Sequence, residues 1–203
     1  METPLFATAY CPPIAYIALL SRHETICIER HETFPKQTYR NRCEILTGNG
    51  TMILTVPATR PNGNHTLTGD MGITYIENWH IKHARAITAA YNASPYYLYY
   101  KDDFEAILAK KHATLIELNT ELLKFILKKM KIDTKIEYST DFVIPANDPI
   151  DYRYTLSPKR PCPIEIKSYD QVFGERFEFV PNLSSLDLLF NLGPDSKRYL
   201  QTL

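Results

Sequence analysis

The stretch FPKQTYRNRCEILTGNGTMILTVP, residues 34–57, decides how the rest of the sequence is interpreted. It carries three cations before its first acid, Glu44, then a Gly48-Asn49-Gly50 turn and the apolar run 52–56. Asn and Gly both tolerate the positive φ that a type I′ hairpin turn requires. The pattern therefore predicts a basic strand, a tight turn at Asn49-Gly50 and a buried strand.

The basic strand has two interpretations. It is either a solvated strand face, whose exposed ion pairs are worth about 0–1 kcal/mol each, or a ladder that binds an anion. Guanidinium groups suit the second interpretation because they bind phosphate or carboxylate in a planar, bidentate way. Since side chains of an extended chain alternate between faces, one face would carry Lys36, Thr38, Arg40 and Arg42, and the other Tyr39, Asn41, Cys43 and Ile45.

Length and charge limit the class of protein. The 203 residues are enough for one domain with a real core. Lys and Arg together equal Asp and Glu at 23 each, which argues against a dedicated nucleic-acid binder and against a binder of acidic membranes. No apolar run approaches the roughly 20 residues that span a bilayer, and the start lacks the basic segment of a signal peptide. We expect a cytoplasmic protein with no membrane span.

Cysteine and glycine usage excludes several kinds of site. The four cysteines are widely spaced, so neither a disulfide framework nor a zinc ribbon is expected. The sequence has 7 glycines and lacks both glycine-rich phosphate-binding motifs. We expect no metal and no cofactor. Cys11, at the end of the first predicted strand, is either a nucleophile or a buried, inert thiol.

The periodicity and punctuation of the chain predict a single mixed α/β domain, with helices packed on the sheet, one long helix and a C-terminal segment folded back. The main domain covers residues 1–143. Residues 144–203 add a proline-rich loop, which is a linker or an active-site loop, and a docking helix capped by Asn182 or Ser184 and stopped at Gly193-Pro194. The other predicted strands are 5–10, 25–29, 73–76 and 134–139, and the other predicted helices are 14–20, 79–91 and 104–131, the last either continuous or broken near residue 113.

Two histidines are candidate catalytic bases. His31 precedes Glu32 in a strand-end loop, and His83 lies on an apolar helix stripe one turn from Trp79. Each also has a structural interpretation: a solvent-facing pair for His31 and a core histidine for His83. The next segment has a cluster of tyrosines, Tyr96, Tyr97, Tyr99 and Tyr100, which either pack with their hydroxyls in water or stack on a sugar ring or base.

Several motifs resemble a known family. The most specific combines Arg40-Asn41-Arg42 with Leu54-Thr55-Val56-Pro57, and the others include Asn78-Trp79 with His83 and the Leu118-Asn119 pair of the long helix. On these motifs the chain resembles the WbqC-like proteins, and its C-terminal region is similar to a subgroup from Bacteroides-type bacteria. It departs from the family at Cys11-Pro12-Pro13, where an apolar residue, Pro and Trp are common.

The resemblance implies a role in the biosynthesis of surface polysaccharide such as O-antigen. It favours group transfer onto an activated, phosphate-bearing sugar, with acyl-coenzyme A or a carrier-bound group as donor. His83 or His31 would be the base. The substrate-binding residues would be Lys36, Tyr39, Arg40, Asn41, Arg42, Tyr10, Trp79, Tyr91 and Tyr96. The alternative is a non-catalytic anion-binding or scaffold protein of a cell-envelope pathway, with His83 in the core.

Overall fold

The structure is a computed structural model that describes residues 3–145 and 150–203. It is a mixed α/β fold, as the sequence predicts. Its strands are β1 (Leu5–Ala7), β2 (Thr25–Glu29), β3 (Arg42–Thr47), β4 (Gly50–Thr55), β5 (Ala58–Thr59), β6 (Gly72–Ile73) and β7 (Lys135–Tyr138), and its α-helices are α1 (Ile14–Leu20), α2 (Trp79–Tyr91), α3 (Tyr97–Ala109), α4 (Leu115–Lys129), α5 (Ser185–Leu192) and α6 (Ser196–Leu200).

The central sheet is parallel and has the order β1-β2-β7. Ala7 is level with Glu29 and Ile28 with Tyr138, so the three strands end at nearly the same height. On the free side of β1, Leu5 forms a parallel bridge with Asp151. The carboxyl ends of four parallel segments therefore meet at one edge, which we call the carboxyl edge.

The predicted hairpin is present, but its basic strand and its turn differ from the prediction. The strand β3 begins only at Arg42, because Gln37 takes a φ of 57° and the chain bends before that point. The turn uses Gly48 and Asn49, and the positive φ falls on Gly50, at 101°. This geometry fits a type I turn followed by a glycine bulge rather than the predicted type I′ turn. Half of the apolar run is also uncovered, with Ile53 54% exposed.

The predicted segment 104–131 is two helices, the second of the two alternatives. Helix α3 begins earlier, at Tyr97, and a non-helical segment separates it from α4. Thr114 and Glu117 form a capping box at the start of α4, which fixes the break because both satisfy free backbone N–H groups there. Asn78 precedes α2 as predicted but makes no side-chain cap, since its own φ is 49°.

The C-terminal segment folds back as predicted. The Ser184 side chain caps α5 by accepting a hydrogen bond from the Leu186 N–H at 3.3 Å, and Gly193 ends the helix with a φ of 53°. Helix α5 is buried along nearly its whole length and packs against α1, α3 and α4. Pro149, one of the prolines of the predicted loop, lies outside the described residues. No helix among the described residues combines the length and apolarity needed to cross a membrane.

The aromatic packing of α5 gives a direct test of this docking. Phe190 is fully buried, with ring centroids 5.2 Å from Tyr97 and 5.3 Å from Tyr91. We expect Phe190→Ala to lower the free energy of unfolding by about 3–5 kcal/mol, because it leaves a cavity in the core. Urea denaturation measures the change. The control Leu98→Ala, at a 69% exposed position, should stay within about 0.5 kcal/mol. A Phe190→Ala effect as small as the control would contradict this packing.

Candidate functional site

Charged side chains are buried at the carboxyl edge, where ligands of α/β sheets commonly bind. Glu29, the last residue of β2, and Arg153, beyond the bridge to β1, are both within 1% of full burial. The Glu29 carboxylate accepts from the Ser139 hydroxyl and the His31 N–H, both at 2.7 Å. Its second oxygen accepts from the Val143 N–H at 2.9 Å and from Arg153 Nη1 at 3.3 Å.

Arg153 is also held by Asp151. Its Nε and Nη2 donate to the two carboxylate oxygens of Asp151 at 2.9 and 2.6 Å. Its Nη1 also donates to the Val143 carbonyl at 2.8 Å. Although burial opposes it, hydrogen bonding to Arg153 lowers the pKa of Asp151 overall. A bidentate guanidinium–carboxylate pair is the geometry that best offsets the free-energy cost of desolvating two buried charges.

A second buried ion pair lies beside the first. Arg40 Nε donates to Glu32 at 2.7 Å and Arg40 Nη2 is 2.5 Å from the same oxygen, with both side chains 3% exposed. Burial raises the pKa of Glu32, and the charge of Arg40 opposes that rise. Asn119 on α4 donates to the Arg40 carbonyl at 2.8 Å and to the Thr8 hydroxyl at 3.1 Å. The edge is therefore joined to α4 by polar contacts.

An open cleft of about 730 Å³ lies next to this buried network. Arg30, which follows β2, and Tyr138, the last residue of β7, form its sheet side. Lys124 and the first turns of α4 also line it, and the Thr120 hydroxyl of α4 is 2.7 Å from the Tyr138 hydroxyl. The cleft thus lies at the carboxyl ends of two parallel strands and beside a helix N-terminus, where backbone N–H groups and the helix dipole favour anions.

Two of the three acids that line the cleft have internal partners, and the third, Asp70, is exposed and forms no salt bridge within the described residues. Glu117 accepts from two backbone N–H groups at the start of α4, and Glu121 pairs with Lys110 and with His112 Nε2, the latter at 2.7 Å. Arg30 and Lys124 are exposed and form no salt bridge with any acid in the described part of the chain. The cleft therefore offers two free cations to an anionic ligand.

His31 is not one of the residues that line the cleft, but it is adjacent in the chain to one that does. It follows Arg30 in the chain, and its Nε2 is 3.1 Å from the carbonyl oxygen of Ser139, the residue after Tyr138. A carbonyl only accepts hydrogen bonds, so Nε2 carries a proton, and in the neutral imidazole Nδ1 keeps its lone pair. Among the described residues no partner occupies Nδ1. This predicted base is thus close to the cleft and has the tautomer that a base requires.

The predicted basic ladder is not formed. Residues 36–41 are bent rather than extended, and Arg40 turns inward to Glu32 while Lys36 is exposed. Arg42 donates to the Gln37 carbonyl at 3.1 Å. The three cations therefore do not lie on one strand face. The chain is not extended there, and Arg40 is buried against Glu32. Their substrate-binding role stays a prediction.

His83 lies in the core, apart from the cleft. It is 6% exposed, and its Nδ1 is 2.9 Å from the Tyr10 hydroxyl. Trp79 packs edge-on against its ring, with centroids 5.1 Å apart. Burial lowers the pKa of His83 to about 4, although a hydrogen bond to the Thr55 backbone acts in the other direction. The imidazole is therefore neutral at pH 7, and its catalytic role stays a prediction.

The remaining candidates lie in separate places. Tyr91 is fully buried under α5, Tyr39 is half-buried with its pKa raised by burial to about 12, and Tyr96 packs against Gly193, where an added Cβ would be 2.4 Å from the tyrosine ring. Asn41 donates to the Val56 carbonyl at 3.1 Å. None of them lines the cleft.

Several important residues were missed from sequence. Glu29 ends an apolar strand, which is an unusual position for an acid. That position was the sequence feature that could have identified it. Arg153 and Asp151 lie in the segment that was assigned only as a linker or loop. Arg30 and Lys124 are 94 positions apart, and only the strand order β1-β2-β7 brings them to one cleft.

The low pKa of His83 predicts a pH dependence of stability. The folded His83 stays neutral down to about pH 4, whereas the unfolded one binds a proton below about 6.5. The unfolded state therefore binds more protons between these values, and stability falls as the pH decreases. Relative to His83→Gln, the wild type should lose about 3 kcal/mol between pH 7 and pH 4. Urea denaturation at several pH values measures the free energy of unfolding of both proteins. Glu32 and Asp187 are present in both, so their contributions cancel in the difference. A difference that does not change with pH would contradict this prediction.

Comparison with known proteins supports the resemblance seen in the motifs. The model of the WbqC-like protein family matches residues 8–156, which include Glu29, Glu32, Arg40, Asp151 and Arg153 of the carboxyl edge. An uncharacterized protein of Mycobacterium tuberculosis (strain ATCC 25618 / H37Rv), Rv1507c, is 24% identical over 221 residues, covering 95% of this chain and 94% of its own. No solved structure matches the chain. Because the family model covers well over half of the residues, this chain belongs to the WbqC-like protein family.

Proposed function

We propose that this protein binds a phosphate-bearing sugar in the cleft at the carboxyl edge and transfers a group onto it during the biosynthesis of surface polysaccharide. The observation that supports this most is that two cations without a salt bridge in the described residues, Arg30 and Lys124, line the same cleft. A diphosphate linkage carries charge that both could neutralise. Tyr138, 37% exposed on the same sheet side, offers an aromatic face to a sugar ring.

The same site supplies a base for group transfer. A sugar amine or hydroxyl that attacks an acyl donor must lose a proton, and His31 Nδ1 can accept it. The new bond joins the sugar heteroatom to the acyl carbon, and the thiol of coenzyme A or of a carrier leaves. Glu29 fixes the His31 backbone through its 2.7 Å hydrogen bond. The buried network thus positions the base without contacting the substrate.

Ligand binding tests the location of the site. We expect a nucleotide-linked hexose at a hundred times its dissociation constant to stabilise the protein by about 2.7 kcal/mol. Arg30→Ala/Lys124→Ala should weaken that binding at least tenfold in isothermal titration calorimetry. The matched variant Lys36→Ala/Arg42→Ala removes the same charge from residues 36–42, the stretch for which the sequence predicts an anion-binding ladder. If only the matched variant loses binding, the sugar binds at that stretch and the cleft assignment is wrong.

Product formation tests the reaction. The protein is incubated with a nucleotide-linked amino sugar and acetyl-coenzyme A, and mass spectrometry measures acylated sugar. His31→Ala should reduce the product at least a hundredfold while the affinity for the sugar stays within threefold, because general bases contribute about 10²–10⁴ in rate. His83→Gln should change neither. Unchanged turnover in His31→Ala would contradict the assigned base.

The second candidate is a non-catalytic anion-binding protein of the same pathway. Its support is that Arg40 and His83, two residues expected in a catalytic site, are buried and bonded internally. With this function, Arg30→Ala/Lys124→Ala would still weaken the binding of the nucleotide-linked sugar. Incubation of the wild type with acyl donors would give no acylated sugar. The closer assignment to a Bacteroides-type subgroup remains a prediction.

A further inference from the structure

The strand β7 is an uncovered edge of the central sheet. It pairs with β2 on one side, and among the described residues no strand pairs with its other side. The N–H groups of Lys135 and Ser139 bond to residues on the β2 side. Because neighbours alternate along a strand, the backbone groups of Ile136 and Tyr138 point outward. The opposite edge differs, since β1 is bridged by Asp151.

A row of lysines accompanies this edge. Lys124 and Lys128 are four residues apart and share one side of α4, and Lys131 follows the end of the helix and lines the same depression. They and Lys135 are all exposed, and none forms a salt bridge with an acid in the described part of the chain. We call these four residues the lysine row.

The lysine row and β7 line one shared depression of about 750 Å³. The helical part of the row, from Lys124 to Lys128, covers roughly 6 Å, and the four residues of β7 extend roughly 13 Å. An extended segment seated on the edge would therefore run beside both. The acids of the depression are Asp133 and Glu137, so positive charge is in excess there.

We propose that the outer edge of β7 binds an acidic, extended segment of a partner protein as an added strand. Main-chain hydrogen bonds to Ile136 and Tyr138 hold the segment, and its acidic side chains meet the lysine row. Strand addition gains affinity from the backbone and specificity from side chains. The observation that selects an acidic occupant is the unpaired charge of the lysine row.

The same lysines disfavour the other obvious occupant, a second copy of this chain. Lysines on an edge strand commonly prevent two edges from pairing, because like charges meet. Two copies joined through β7 would bring two lysine rows together. An acidic strand would not meet that repulsion. The lysine row therefore disfavours pairing with a second copy and favours an acidic partner segment.

The surface also adjoins the cleft. Lys124 lines both the depression and the cleft of the proposed function. A segment docked on β7 would therefore end close to the bound sugar. The docking site itself does not depend on the proposed function, since Ile136, Lys128 and Lys131 do not line the cleft.

The test uses a fluorescein-labelled octapeptide of alternating Glu and Val, with fluorescence anisotropy and the full chain. We expect saturable binding that Lys128→Glu/Lys131→Glu weakens at least tenfold. The matched control Lys82→Glu/Lys101→Glu makes the same change in net charge on α2 and α3, which contribute no residue to the depression. It should change the affinity less than threefold.

A second peptide separates strand addition from simple charge attraction. Methylation of three consecutive central amide nitrogens removes main-chain donors from both edges of the peptide and keeps its charge. We expect this peptide to bind at least tenfold more weakly. The proposal is overturned if the methylated peptide binds as well, if a Lys-Val octapeptide binds as well, or if the Glu-Val peptide does not bind. The affinity of Lys128→Glu/Lys131→Glu for the nucleotide-linked sugar should stay unchanged. This measurement separates a failure of the docking proposal from a failure of the proposed sugar site.

Discussion

The buried pair of Glu29 and Arg153 is the interaction on which the carboxyl edge depends. The Glu29 carboxylate accepts from the loops after β2 and β7 and from Arg153 in the C-terminal region. Each buried charge is costly to desolvate, and removing one partner of such a pair typically costs about 3–5 kcal/mol. The pair therefore fixes how three distant segments meet, even where hydrophobic burial alone would tolerate several arrangements.

The fixed edge explains why the proposed site is not at the basic stretch of residues 36–42. Among the described residues, three carboxylates, Glu29, Glu32 and Asp151, face two guanidinium groups there, and Arg40 is one of these. A cation already neutralised inside the protein has little left to offer a ligand. The cations that remain for binding are those without an internal acid, and in the cleft these are Arg30 and Lys124.

Local signals in the sequence predicted most of the fold. The Ser184 cap, the Gly193 stop and the apolar stripe of α2 depend on contacts within a few residues, and the structure confirms each of them. The direction of Arg40 could not be predicted in this way. Strand alternation assumed an extended chain at 36–42, but the buried Glu32 draws Arg40 inward and Gln37 takes a positive φ.

The site was harder to predict than the fold for a related reason. A binding cleft between strands and a helix is made of residues that are far apart in sequence, and only the strand order determines which of them face each other. Arg30 and Lys124 carry no local mark of function, and each resembles an ordinary surface cation. What distinguishes them is that neither pairs with an acid of the described residues, while Glu117 and Glu121 are occupied by a helix cap, by Lys110 and by His112. The function proposed for this edge therefore depends on which charges remain unpaired after folding, and the same criterion selects the lysine row beside β7.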